Sequence, residues 1–107
     1  MRIDVIGKHL EVTDPIRAFA ESKAGKLTKY LDGMVQQITV RVEPDPRKKG
    51  FHAEVIADVE HHDDFISNAH HEDLYTAIDQ AVEKVSRQLT DHKERVKQGK
   101  RGGQAAG

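Results

Sequence analysis

The chain contains no cysteine and no long apolar run, and both absences narrow what it can do. Without cysteine there can be no disulfide framework, no thiolate zinc site and no thiol nucleophile. Between Met1 and Leu10 polar and apolar residues alternate, and Arg2, Asp4 and Lys8 interrupt any stretch of signal-peptide or membrane-spanning length. We therefore expect a soluble, cytoplasmic protein that contacts no membrane.

Sequence signatures of catalysis are missing as well. There is no glycine-rich phosphate loop and no metalloprotease motif, and the only serines, Ser22, Ser67 and Ser86, stand in no recognisable nucleophile setting. At 107 residues the chain is long enough for one core but not for a separate catalytic lobe. We therefore expect a single-domain binding protein, not an enzyme, with no cofactor and no small-molecule substrate.

Charge is present in quantity but unevenly distributed. The formal net charge of −1 argues, taken alone, against a nucleic-acid binder. Residues 1–50 nevertheless carry a net charge of +3, residues 51–83 carry −9 and residues 84–107 carry +5. This partition indicates a molecule with a basic side that meets a polyanion and an acidic side that stays in solvent. Chance scatter on a charged surface is the alternative.

The first third of the chain predicts a strand followed by an amphipathic helix. Arg2–Ile6 alternates between apolar and polar residues, and Gly7 ends the strand. Either Thr13 or Asp14 can cap the helix, and Pro15 suits its first turn, where a missing N–H has no cost. Helical spacing of core-facing residues then continues through Ile16, Phe19, Ala20, Lys23, Leu27, Tyr30 and Leu31, until Asp32-Gly33 closes the run.

Three further strands follow this helix. Apolar and polar residues alternate over Gln37–Glu43, and the prolines within residues 44–46 end this strand. They alternate again over Phe51–Glu60, which gives that strand one apolar face and one solvent-exposed face. Residues 61–64 have the composition of a turn, and the alternation then resumes over residues 65–70. The last two strands are therefore expected to form an antiparallel hairpin.

A long final helix has the strongest periodic signal. Asp73 can cap it, and Gly99 is expected to end it. Residues 1–98 would then form the folded domain, and residues 99–107 a flexible basic tail with nothing to bury. The apolar stripe comprises Leu74, Ala77, Ile78, Ala81, Val82, Val85, Leu89, His92 and Val96.

The element order β-α-β-β-β-α predicts an α+β fold with a four-stranded sheet. Each helix and each strand has a single apolar side, so both helices must share one face of the sheet. The other face is then open to water. We expect its outward positions to come largely from the acidic third strand and from His70, with the basic residues on the helices and on the turn Arg47–Lys49.

The residues of the two helices resemble those of the short ribosome hibernation promoting factors and their ribosome-associated inhibitor relatives, also called sigma-54 modulation proteins. The resemblance covers about residues 1–98 and is specific, because the pattern spans both helices with matching spacing. It rests on Val12-Thr13, Arg17, Lys23, Lys26-Leu27 and Tyr30 in the first helix, and on Leu74–Asp79, Lys84, Arg87-Gln88-Leu89 and His92-Lys93 in the second.

This resemblance implies a fold like a double-stranded-RNA-binding domain and a place in the mRNA channel of the small ribosomal subunit, across the tRNA anticodon sites. Occupancy there would exclude mRNA and tRNA and would store ribosomes in an inactive state when growth slows. Because long relatives add a C-terminal dimerisation domain that this sequence does not show, the resemblance implies a monomer off the ribosome.

The candidate RNA-binding residues are cations on the two helices. Lys23 lies within the first apolar stripe, so its methylene stem should cover core while its ammonium emerges beside the second helix. Cations on rigid helices suit a folded RNA that is bound through its shape and phosphates. Asp91 and Glu94 interrupt the basic character of the second helix. The candidates are Lys23, Lys26, Lys84, Arg87, Lys93, Arg95 and Lys97.

Two other hypotheses compete with this one. The histidine-rich segments 61–64 and 70–73 could bind a metal, but the predicted hairpin separates them by roughly 26 Å at ~3.3 Å per residue. They therefore cannot share one ion, and no metal site is expected. The second alternative is a regulator that contacts the transcription machinery through an acidic sheet face. For the turn Arg47–Lys49, an RNA contact and simple solvation remain equal alternatives.

Overall fold

Four strands and two helices follow one another in the predicted order. The structure is a computed structural model that describes the backbone of residues 1–106 and the side chains of residues 1–30 and 33–95. Its elements are β1 (Arg2–Gly7), α1 (Asp14–Gly25), a 3₁₀ helix (Lys26–Gly33), β2 (Val35–Pro44), β3 (Phe51–Val59), β4 (Phe65–His71) and α2 (Leu74–Ala106).

The strands form one mixed sheet in the order β1-β2-β3-β4. Strands β1 and β2 are parallel, as the intervening helix requires, because parallel neighbours need a crossover connection. The pairs β2-β3 and β3-β4 are antiparallel, with Val55 opposite both Val40 and Ser67. The predicted hairpin of the last two strands is thus confirmed, and so is the α+β fold with both helices on one face.

The core lies between the sheet and the helices. Alternate strand residues point into it, and the stripe of α2 covers them with Ile78, Val85 and Leu89, all fully buried. Alanines at the helix-sheet contact allow close approach, and Ser67 is the one buried polar residue among the side chains that the structure describes. Its hydroxyl donates a 2.6 Å hydrogen bond to the Ala81 carbonyl, so its burial leaves no unsatisfied group.

Side chains cap the N-termini of both helices. Thr13 caps α1, since its Oγ1 accepts the Ile16 N–H at 3.4 Å, and Asp14 lies within the first turn. The structure thereby decides between the two caps that the sequence allowed. Asp73 precedes α2 and accepts the Thr76 N–H at 3.0 Å, as predicted. The pKa of Asp73 is lowered mainly by the Thr76 hydroxyl and N–H.

The first helix does not continue as an α-helix to residue 33. The Lys26 N–H donates to the Lys23 carbonyl, which tightens the backbone, and a 3₁₀ helix follows from Lys26 to Gly33. Gly25, a weak helix former, stands at the transition. Leu27 remains fully buried, so the predicted apolar position is kept although the helix type changes.

Helix α2 continues through Gly99, where the sequence predicted its end, to Ala106. A glycine inside a helix costs only about 1 kcal/mol relative to alanine, so it need not terminate one. The side chains from residue 96 onward, including that of Lys97, lie outside the described residues, as does Gly107. The flexible basic tail of residues 99–107 stays a prediction.

Candidate nucleic-acid interface

A cleft between the 3₁₀ helix and α2 contains one of the predicted RNA-binding residues, Lys26. It has a volume of about 250 Å³, and Lys26, Lys29 and Tyr30 line one side of it while Glu83 and Ser86 line the other. The Tyr30 and Ser86 hydroxyls are 2.9 Å apart and hydrogen-bonded. This bond ties the 3₁₀ helix to α2, so it holds the two lysines beside the second helix.

Lys29 is a candidate that the sequence reasoning missed. It is exposed, like Lys26, and lines the same cleft. A 3₁₀ helix has 3.0 residues per turn, so residues three apart lie on the same side of it. The Lys26-x-x-Lys29 spacing was the available signal, because residues three apart lie on the same side of an α-helix as well.

Lys23 lies where the sequence predicted, with its ammonium beside α2. Its Nζ is 3.1 Å from Asp79 Oδ1 and 5.5 Å from the centre of the Phe19 ring. The pair is partly exposed, so its net stabilisation is at most about 1 kcal/mol. The structure therefore gives Lys23 an intramolecular partner that RNA phosphate would have to replace or share.

Lys84 covers the edge of the sheet. Its Nζ donates to the Asn68 carbonyl at 2.6 Å, and Gln88 Nε2 donates to the Ile66 carbonyl at 2.9 Å. Strand β4 is the last in the sheet, and these outward carbonyls would otherwise face solvent. Lys84 thus has a structural role, although an ammonium has three donors and can still reach an anion.

The remaining described cations of α2, Arg87, Lys93 and Arg95, are exposed, and acidic residues lie among them as the sequence indicated. Lys93 follows Ser86 by two helical turns and therefore lies on the cleft side. Arg95 follows Lys84 by three turns on the β4 side. Arg87 lies between them, with Glu83 and Asp91 one turn away on either side. Among the described side chains, Arg87, Lys93 and Arg95 form no ion pair.

Cations on the open face of the sheet are paired with carboxylates. Arg2 lies 3.2 Å from Asp4, and Arg41 lies 3.7 Å from Glu54. This corrects the expectation that the basic residues are confined to the helices and the turn Arg47–Lys49, because alternation places these two arginines on the sheet face. The same face exposes Ile66, which is 49% accessible. The open face therefore carries paired arginines beside the acidic positions of β3.

The two histidine-rich segments lie at opposite ends of the β3-β4 hairpin, as predicted. The His62 ring stacks on Phe65 with centroids 4.5 Å apart, and the His92 ring lies 4.4 Å from that of His62. Burial lowers the pKa of His92, and the positive charges of His62 and Arg95 lower it further. Within residues 1–30 and 33–95, no three histidine or acidic side chains are grouped to hold a metal ion.

No helix in the described part of the chain is long and apolar enough to cross a membrane. Residues 3–97 match the model of the family described as sigma 54 modulation protein / S30EA ribosomal protein.

Curated relatives match over most of the chain. The ribosome hibernation promoting factor of Pseudomonas putida is 31% identical over 96 residues, which cover 89% of each chain. The protein of the same name from Escherichia coli is 31% identical over 99 residues, covering 92% of this chain and 99% of the relative.

Solved structures match as well. The Protein Y N-terminal domain of Thermus thermophilus has a TM-score of 0.74 at 32% identity, covering 86% of this chain and 99% of that one. A ribosomal subunit interface protein from Coxiella burnetii has a TM-score of 0.78 at 17% identity, covering 88% and 99%. The second likeness shows the fold alone.

Proposed function

This chain belongs to the sigma 54 modulation protein / S30EA ribosomal protein family, and on that premise we propose that it is a ribosome hibernation factor that binds the small ribosomal subunit. It occupies the mRNA channel across the tRNA anticodon sites and thereby excludes mRNA and tRNA. It acts by occupancy and consumes no substrate. The names of the Pseudomonas putida and Escherichia coli relatives support this role.

One observation supports the helical side as the binding surface. The exposed cations Lys26 and Lys29 at the cleft, and Lys93 two turns after Ser86 on α2, form no ion pair among the described side chains. Arg2 and Arg41 on the sheet already have carboxylate partners. A phosphate that binds a paired cation must compete with that carboxylate. A phosphate that binds an unpaired cation only displaces water and counterions, whose release favours binding.

The geometry suits a folded RNA more than a specific base sequence. The described cations project from helices, whose fixed spacing suits the phosphates of a folded RNA. In this proposal Lys26, Lys29 and Lys93 form the central contact, with Arg87 and Arg95 beside them. Lys97 stays a contact predicted from the sequence. Lys23 and Lys84 contribute less, because Asp79 and the Asn68 carbonyl already engage them.

Two variants that lose the same charge test this surface. Arg87→Gln/Lys93→Gln removes two unpaired cations from α2, and Arg2→Gln/Arg41→Gln removes two paired cations from the sheet. Co-sedimentation with purified small subunits should weaken steeply with salt for the unaltered protein. The helix double should lower the slope of log affinity against log salt by about 1.4 to 1.8, at ~0.7 to 0.9 per lost phosphate contact, while the sheet double stays near the original value.

The acidic positions of the sheet provide a further control. Replacing Glu54 and Asp58 by glutamine should leave affinity unchanged or raise it slightly, since repulsion of the polyanion falls. Loss of binding in this variant, together with retention in the helix double, would refute the assigned surface. The acidic sheet face would then be the binding face, as expected of a regulator that contacts another protein.

A further inference from the structure

The turn between β2 and β3 carries three consecutive cations, Arg47, Lys48 and Lys49, and its backbone is held in one conformation. Asp45 Oδ1 accepts the N–H groups of Arg47 at 2.8 Å and Lys48 at 3.3 Å. The Asp45 N–H in turn donates to the Gly50 carbonyl at 2.9 Å. The first of these bonds does most to lower the pKa of Asp45, so its carboxylate is ionised at neutral pH.

The neighbouring strand holds the other end of this turn. His70 Nε2 lies 3.0 Å from the Lys49 carbonyl and 3.4 Å from Asp45 Oδ2, so an Nε2–H donates toward both oxygens. Gly50 has a φ of +112°, and a Cβ there would lie 2.7 Å from the His71 carbonyl oxygen. The turn therefore packs directly on β4 and is fixed at both ends.

The three side chains point away from this framework. Arg47, Lys48 and Lys49 are all exposed, and among the described side chains none of them forms an ion pair. The one carboxylate within the turn, Asp45, is only 12% exposed and is directed at the backbone and His70. Arg47 and Lys49 stand at the two ends of this run of exposed cations.

The turn is remote from the part of α2 that carries Lys93. It precedes Phe51, whereas His62 and Phe65, which contact His92 on α2, lie at the other end of the hairpin. Strand β3 has nine residues, so these ends are separated by roughly 26 Å at ~3.3 Å per residue. An RNA that contacts Lys93 therefore needs a separate segment of its backbone to reach the turn.

We propose that the turn Arg47–Lys49 is a second phosphate-binding element, preorganised by Asp45 and His70, that contacts a different segment of the same ribosomal RNA as the helices. Cations on a fixed turn lose less conformational entropy on binding than cations on a mobile one. Two contacts so far apart select a folded RNA whose phosphates stand at matching positions. This inference rests on the proposed function, since the RNA is that of the small subunit.

A charge-matched pair of variants tests the contact. Arg47→Gln/Lys49→Gln is compared with Arg2→Gln/Arg41→Gln in co-sedimentation with purified small subunits across a salt series. The turn double should lower affinity by roughly 5- to 8-fold per lost contact at about 0.1 M salt and reduce the salt slope by about 0.7 to 0.9 per contact. Equal behaviour of the two doubles would overturn the inference while leaving the proposed function intact.

Two further outcomes of this co-sedimentation experiment would each have a different meaning. If the turn double loses affinity with an unchanged salt slope, its target is not phosphate and the inference is wrong. If the unaltered protein does not bind small subunits at all, the proposed function fails and this inference fails with it.

A second pair of variants tests the fixed backbone. Asp45→Asn and Asp45→Ala remove the same charge, but asparagine keeps a side-chain oxygen that can accept the two turn N–H groups. If only the charge of the turn mattered, both variants would bind RNA at least as tightly as the original protein. A preorganised turn predicts that Asp45→Ala binds roughly 2- to 10-fold more weakly than Asp45→Asn, the range that ordering one segment costs. Equal affinities would exclude a role for the fixed conformation.

Discussion

The hydrogen bond between Tyr30 and Ser86 links the 3₁₀ helix to α2, and its removal should have a measurable cost. Tyr30→Phe and Ser86→Ala each delete one hydroxyl of a part-buried pair whose oxygens are 2.9 Å apart. A typical net contribution is about 1 kcal/mol, and the abandoned hydroxyl at the open cleft can bond to water. We therefore expect each single variant to lower the free energy of unfolding by about 0.5 to 1 kcal/mol.

The double variant makes this prediction specific. Once one hydroxyl is gone there is no bond left to break, so the double should lose little more than either single, with a coupling energy of about 0.5 to 1 kcal/mol. Urea titration should show a lower midpoint with an unchanged slope, and each single should lower the Tm by about 2 to 8 °C. Additive losses, with no coupling energy, would show that the bond does not hold the two elements together.

Two further predictions concern backbone strain and pH. Gly50→Ala should destabilise the protein by about 1 to 3 kcal/mol in urea titrations, because Gly50 has a φ of +112° and an added Cβ would meet the His71 carbonyl. Gly25→Ala should instead stabilise the protein by about 0.4 to 1 kcal/mol, because the space around its Cβ position is open. Because the pKa of His92 is lowered in the folded protein, the folded state binds a proton at His92 less readily than the unfolded state does. The contribution of neutral His92 to the free energy of unfolding is therefore complete above about pH 6.5 and is lost as the pH falls toward the lowered pKa. Thermal unfolding between about pH 7.5 and 5 should therefore depend less on pH in His92→Gln than in the original protein, and equal dependence would contradict this.

The fold was predictable because its signals are local. The alternation of apolar and polar residues predicted the strands. Apolar residues three and four apart predicted the stripe of α2, including the fully buried Ile78 and Leu89. The change to a 3₁₀ helix at Lys26 was not predictable, since Leu27 suits the core in either helix type. Gly99 was a misleading stop signal for a different reason, because a helix tolerates a glycine at modest cost.

The candidate site was less predictable, because long-range contacts decide which cations are free. Lys23 meets Asp79 and Lys84 meets the Asn68 carbonyl, and both contacts join elements far apart in the sequence. Periodicity shows which side of a helix a lysine lies on, but not what stands opposite it. Whether Arg41 is paired with Glu54 depends on the register of β2 and β3, which the sequence left open.

Competition on the small subunit tests the central claim most directly. Purified small subunits carrying mRNA and anticodon-bound tRNA would be titrated with the protein, and bound protein and retained tRNA would be measured in the same fractions. Occupancy of the anticodon sites predicts that tRNA is released in proportion to the protein bound, and that saturating tRNA and mRNA prevent the protein from binding. Full tRNA occupancy on subunits that also hold the protein would contradict the account.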